Sequence, residues 1–156
     1  MAARPRPGDP APPFEGKATD GTPVSLGDYR GRTLVLYFYP MDDTPGCTKQ
    51  ACSLRDHQAE LAARGAAVLG VSTQDEASHR RFTGKHRLNF PLLADTDGAV
   101  GRAYGVLGGG GLLSRLKAAA GLADRVTFVI GPDGRIAHVI DRPDVANHAD
   151  EVLALL

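Results

Sequence analysis

Cys47 and Cys52 stand five residues apart in the run Tyr39-Pro40-Met41-Asp42-Asp43-Thr44-Pro45-Gly46-Cys47-Thr48-Lys49-Gln50-Ala51-Cys52. A helix is expected to begin at Thr44 or Pro45, because threonine suits a cap and proline suits the first helical position. A thiol in that first turn meets backbone N–H groups without partners and the positive end of the helix dipole. Both favour the thiolate, which is the nucleophilic form of cysteine. Thr44 lies three residues before Cys47, so its hydroxyl can donate to the sulfur and hold an incoming oxygen. The competing reading is a buried, inert thiol, with Thr44 only a cap and Pro40 and Pro45 only punctuation.

Five residues along a helix separate the two cysteines by about 7.5 Å in rise and about 140° in rotation. Their sulfurs would point apart, and a disulfide needs Cα atoms within roughly 7 Å with converging Cβ vectors. Bridging would require the first turn or two to unwind. Spacing alone leaves Cys52 equally open to being an unrelated core residue.

The elements that must position these thiols follow from periodicity. Thr33 to Tyr39 (TLVLYFY) is an unbroken apolar run of the kind found in a strand buried on both faces, and Pro40 ends it. The helix after it is expected to run to Arg64, with Gly65 as its stop and Cys47, Ala51, Leu54 and Leu61 on its apolar side. Ala66 to Ser72 reads as a second buried strand. Thr73, with Glu76 three residues on, is the expected cap of a helix towards Lys85. A short helix is expected after Asp97, carrying Val100, Ala103 and Tyr104. Arg125 to Ile130 and Arg135 to Ile140 form a hairpin around Gly131-Pro132-Asp133-Gly134. Asn147 is the expected cap of a final helix with Val152, Leu153 and Leu156. Lys17 to Ala18 and Val24 to Ser25 bracket Asp20-Gly21 as a small N-terminal hairpin. Alternating strands and helices closed by a hairpin predict an α/β sandwich, a mixed central sheet with helices on both faces.

A chain of 156 residues falls within the size of one domain, and residues 1–156 are expected to form one, with residues 1–12 a flexible proline-rich arm. Its 18 basic and 18 acidic residues balance. No block of like charge marks a nucleic-acid or membrane footprint, so a small or neutral substrate fits better. No stretch approaches the roughly 18 to 20 apolar residues of a membrane span, and the start lacks the apolar core of a secretory signal. Two cysteines do not make a disulfide framework, which points to a reducing, cytoplasmic compartment. The five histidines show no ligand spacing, so no metal is expected.

The pattern Pro40, Thr44, Cys47 resembles the active-site motif of the peroxiredoxins, and TPGCTKQAC resembles their bacterioferritin-comigratory or Q-type subfamily. The likeness continues in order through PPFEGKATDGTPVSLGDYRG, LVLYFYP, SLRD, VLGVST, NFPLLAD and RVTFVIGPDGRI. The resemblance implies a thioredoxin-like sandwich with an N-terminal hairpin extension. It also implies a thiol-dependent peroxidase for hydrogen peroxide and organic hydroperoxides. In it Cys47 would be the attacking cysteine and Cys52 the resolving one. Arg125, which on its own reads as a solvated strand end, would stand beside the sulfur. Pro40, Thr44, Gly46 and Arg125 would then surround the peroxide.

The implied reductant is a thioredoxin- or glutaredoxin-type dithiol protein, with no flavin, haem or other cofactor, and the expected assembly is a monomer or weak homodimer. A thiol-disulfide oxidoreductase is the nearest alternative, although such enzymes use Cys-x-x-Cys; a non-enzymatic redox sensor is another. Arg55 and Asp56 in SLRD read as a helical ion pair outside the site. Gly16 stands where the family has an apolar residue, which puts the regularity of that strand in doubt. Gly108 to Leu122 departs from the family loop; Leu112, Leu113, Leu116 and Ala119 to Ala120 are expected to form a short amphipathic helix that covers core, with substrate access or self-association the alternative role.

Overall fold

The structure, a computed structural model, describes residues 4–108 and 112–156. Among the described residues, seven strands and six α-helices follow one another: β1 (Glu15–Lys17), β2 (Pro23–Ser25), β3 (Thr33–Phe38), α1 (Pro45–Asp56), α2 (Gln58–Ala63), β4 (Ala66–Ser72), α3 (Glu76–His86), β5 (Leu92–Ala94), α4 (Ala99–Ala103), α5 (Leu112–Ala119), β6 (Val126–Ile130), β7 (Ile136–Ile140) and α6 (His148–Leu153). The main sheet has the order β5-β4-β3-β6-β7. β3 runs parallel to β4 and antiparallel to β6, so the sheet is mixed as the sequence implies.

β3 occupies the centre because its alternate residues serve two cores. Leu34, Leu36 and Phe38 pack with Val100, Tyr104 and Phe128 on one face. Val35, Tyr37 and Tyr39 pack with Cys47, Ala51, Leu54, Phe82 and Val152 on the other. Helices therefore cover both faces, α1, α2, α3 and α6 on the second. Each of the fully buried Leu and Val side chains contributes roughly 1.5–3 kcal/mol.

Several local expectations change. The helix expected to reach Arg64 is divided at His57, whose ring Nδ1 bonds the Ser53 carbonyl at 2.9 Å while its N–H turns to Leu54 O. The ring takes the carbonyl that a continuing helix would give to the His57 N–H. Asp75, not Thr73, caps α3, accepting from Ser78 N at 2.8 Å; the Thr73 hydroxyl donates to Gly121 O instead. Asn147 precedes α6 without capping it, its amide donating to Asp144 Oδ2 at 3.1 Å.

The N-terminal hairpin β1–β2 pairs in regular register at Gly16 and Val24. A Cβ on Gly16 would stand 2.8 Å from Leu93 Cδ1, so the missing side chain makes room for β5. The proline-rich start is not a free arm along residues 4–12. Gly8 N and Ala11 N donate to Ile136 O and Gly134 O, and Arg4 pairs with Asp124 and Asp141. In α5, Leu112 and Leu116 are 73% and 59% exposed, so these two leucines do not cover core, whereas Ala118 packs against it. The part of the glycine run at residues 109–111 and the Leu113 side chain lie outside the described residues.

Candidate active site

β3 delivers the chain to Pro40 at the edge of the core, and α1 starts five residues later. Thr44 takes an extended cap conformation (φ −85°, ψ 157°) with Pro45 in the first helical position. The first intrahelical bond runs from Thr48 N to Thr44 O at 2.8 Å. Pro45 has no N–H, so Gly46 and Cys47 supply the backbone donors of the turn that the helix leaves unpaired. Cys47 is 1% exposed and sits on the inner face of α1.

Arg125, at the entry to β6, meets that thiol directly. Its Nη2 donates to Cys47 Sγ at 3.2 Å and its Nη1 to Gln50 Oε1 at 2.7 Å. A guanidinium and the helix N-terminus thus converge on one sulfur. A Cβ on Gly46 would lie 3.2 Å from Arg125 Nη2, so glycine there lets the arginine close on α1.

Gln50 is the site residue that sequence reasoning missed. It is fully buried, and its place three residues after Cys47 puts it on the helix face of Cys47, Ala51 and Leu54, which was the available signal. Its Nε2, like the Tyr37 hydroxyl, is buried without a hydrogen-bond partner. Burial raises the Tyr37 phenol well above its ordinary range, and charge on Cys47 raises it further, so it stays protonated as a donor.

Thr44 is the expected residue whose contact differs. Its hydroxyl donates to Met41 O at 3.2 Å and makes no cap bond. Pro40 presents its carbonyl to Gln74 Nε2 at 3.3 Å. Cys52 lies on α1, half-buried, and both thiols are free. Arg55 pairs with Asp56 and bonds His86 O, away from the sulfur. Behind Arg125, Thr127 bonds His148 Nε2 at 2.9 Å, and His148 Nδ1 meets Glu151 Oε1 at 3.1 Å. Nδ1 faces a carboxylate and so donates, which leaves Nε2 to accept from the threonine. Burial holds the His148 pKa below its ordinary value against the raising effect of Glu151, and the Arg125 charge lowers it further. The described residues contain no cluster of three or more His, Cys, Asp and Glu suited to a metal, and no helix among them is long and apolar enough to cross a membrane.

The AhpC/TSA family model matches residues 7–139. Peroxiredoxin Bcp of Escherichia coli is 44% identical over 146 residues, covering 94% of this chain and 92% of the relative. Among solved structures, peroxidoxin BcpB of Mycobacterium tuberculosis superposes with a TM-score of 0.84 at 36% identity, covering 97% of this chain and 96% of the other. The bacterioferritin comigratory protein of Xanthomonas campestris, whose trapped-intermediate and ligand-complex structures concern alkyl peroxide reduction, superposes with a TM-score of 0.81 at 32% identity over 99% of this chain and 96% of its own. The chain therefore belongs to the AhpC/TSA family, among its Bcp and PrxQ peroxiredoxins, and is a thiol-dependent peroxidase of thioredoxin-like fold that consumes peroxide at the expense of a thiol reductant.

Proposed function

We propose that Cys47 is the attacking thiolate and Cys52 the resolving thiol of an intramolecular two-cysteine cycle. The observation that carries this reading is the 3.2 Å contact of Arg125 Nη2 with Cys47 Sγ at the start of α1. The sulfur attacks the terminal oxygen of a hydroperoxide, an S–O bond forms as the O–O bond breaks, and water or an alcohol leaves with a proton. Arg125 and the N–H groups of Gly46 and Cys47 face the charge that develops on both oxygens. Pro40 shields the sulfur, and Thr44 contributes its hydroxyl to the peroxide once it turns from the Met41 carbonyl.

The resulting sulfenic acid condenses with the Cys52 thiol, releasing water and forming a disulfide. With both cysteines on α1, this step needs the first turn to unwind. A thioredoxin- or glutaredoxin-type dithiol protein then reduces the disulfide by exchange and carries the oxidation away. The chain works as one domain in the cytoplasm, as a monomer or weak homodimer. Substrates are hydrogen peroxide and organic hydroperoxides, a range supported by the alkyl peroxide activity named for the Xanthomonas relative.

Steady-state peroxide consumption coupled to a thioredoxin system tests the cycle. Turnover by the wild type that Cys47→Ser abolishes supports it; equal turnover by Cys47→Ser would refute the assignment.

A further inference from the structure

The loop ahead of α1 rests on a buried carboxylate–imidazole pair that the reaction scheme does not use. Asp42 is 4% exposed at its side chain and His79, on α3, is fully enclosed. His79 Nδ1 meets Asp42 Oδ2 at 2.7 Å, and its Nε2 meets Leu93 O, on β5, at 3.0 Å. The ring thus spans two acceptors, the Asp42 carboxylate on the loop and the Leu93 carbonyl on β5. The charged or titratable groups facing it are Asp42 from the loop and Tyr39 from β3, whose hydroxyl donates to Asp42 Oδ1 at 2.5 Å. Ser78 adds a third donor, to Asp42 Oδ2 at 2.7 Å. The Gln74 side chain completes the frame by accepting from Asp42 N at 3.0 Å and donating to Pro40 O.

Asp42 therefore sits at the centre of contacts from β3, α3 and the turn before α3. Two residues later Thr44 begins the helix that carries Cys47. We infer that His79 is a positioning residue for the attacking thiol: its ring, held between Asp42 and Leu93 O, fixes Asp42, and Asp42 fixes the loop from which α1 aims Cys47 at Arg125. This rests on the assignment of Cys47 as nucleophile.

The test is the second-order rate of hydrogen peroxide with reduced full-length protein in a Cys52→Ser background, measured per titratable Cys47 thiol. His79→Gln removes the imidazole that meets Asp42 Oδ2 and leaves the buried carboxylate with less support. It is expected to slow the reaction about 10-fold or more, the scale on which small misplacements act. Adding Asp42→Asn removes that stranded charge, and two neutral amides should restore most of the rate. A His79→Gln rate within about twofold of its parent, or a double variant no faster than His79→Gln, overturns the inference. Should His79→Gln fail to fold, Tyr39→Phe removes one donor to Asp42 and keeps the ring; a several-fold loss supports the anchor and an unchanged rate overturns it. Peroxide reduction that survives Cys47→Ser would instead sink the nucleophile assignment on which the inference stands.

Discussion

Residues 40–43 and residues 45–48 flank Thr44 in the chain, yet they are held in different ways. The loop is bonded at Pro40 O, Asp42 N and both Asp42 oxygens, and Asp43 pairs with Lys85 and His86 although its backbone lies at φ 61°. That conformation is uncommon outside glycine, and its contacts offset the cost. Among the N–H groups of the turn that follows, that of Thr48 alone makes a helical bond, Pro45 has no N–H, and the cap residue's hydroxyl does not cap. In the proposed cycle, attack on peroxide needs a fixed sulfur, and resolution by Cys52 needs that sulfur to move. A tightly bonded loop ahead of a turn whose own N–H groups make a single helical bond suits both needs.

The largest expected effect comes from removing the group both regions serve: Cys47→Ser should eliminate peroxide reduction in a stopped-flow assay while leaving the circular dichroism spectrum intact. Arg125→Ala takes away the fork on the sulfur and is expected to lower the peroxide rate by about 10²–10³-fold, the usual cost of one preorganised donor; Arg125→Lys should recover only part, having charge without the second bond to Gln50. Cys52→Ser keeps the first turnover but should stop steady-state cycling with a dithiol protein, and the trapped Cys47 should pass to sulfinic acid under excess peroxide. Gly46→Ala tests the boundary between tight and loose more gently. Its Cβ would press on Arg125 at 3.2 Å, so a loss of a few-fold in peroxide rate is expected, with Cys52 resolution less affected.

The smallest effect concerns stability. Because burial keeps the folded His148 pKa below its ordinary 6.5, the unfolded chain binds a proton that the folded chain refuses as pH falls. The stability tied to a neutral His148 is present above pH 6.5 and is lost on the acid side. The melting temperature should therefore drop between about pH 7 and about pH 5, and drop less in His148→Gln.

Much of this was legible from local pattern. β4 spans Ala66–Ser72 as expected, and the β6–β7 hairpin turns on Gly131–Gly134 because continuous apolar runs and glycine-proline turns state their own geometry. Cys47 could be placed at a helix start from Thr44 and Pro45 alone. Arg125 could not: its 3.2 Å approach joins residues 78 apart in sequence, and only the family resemblance pointed to it. The Asp42–His79 pair spans 37 residues and left no trace in periodicity. The break at His57 arises from a ring nitrogen competing for a carbonyl, a choice that helical propensity does not encode. The N-terminal prolines read as an arm because their composition lacks a periodic face; their order comes from backbone bonds to β7, which composition does not reveal.

The account turns on which sulfur meets the peroxide. Reduced Cys52→Ser protein treated with one equivalent of hydrogen peroxide and mapped by peptide mass spectrometry should carry one added oxygen, on the peptide containing Cys47. An oxygen found elsewhere, or a Cys47 peptide left unmodified while peroxide is consumed, would contradict it.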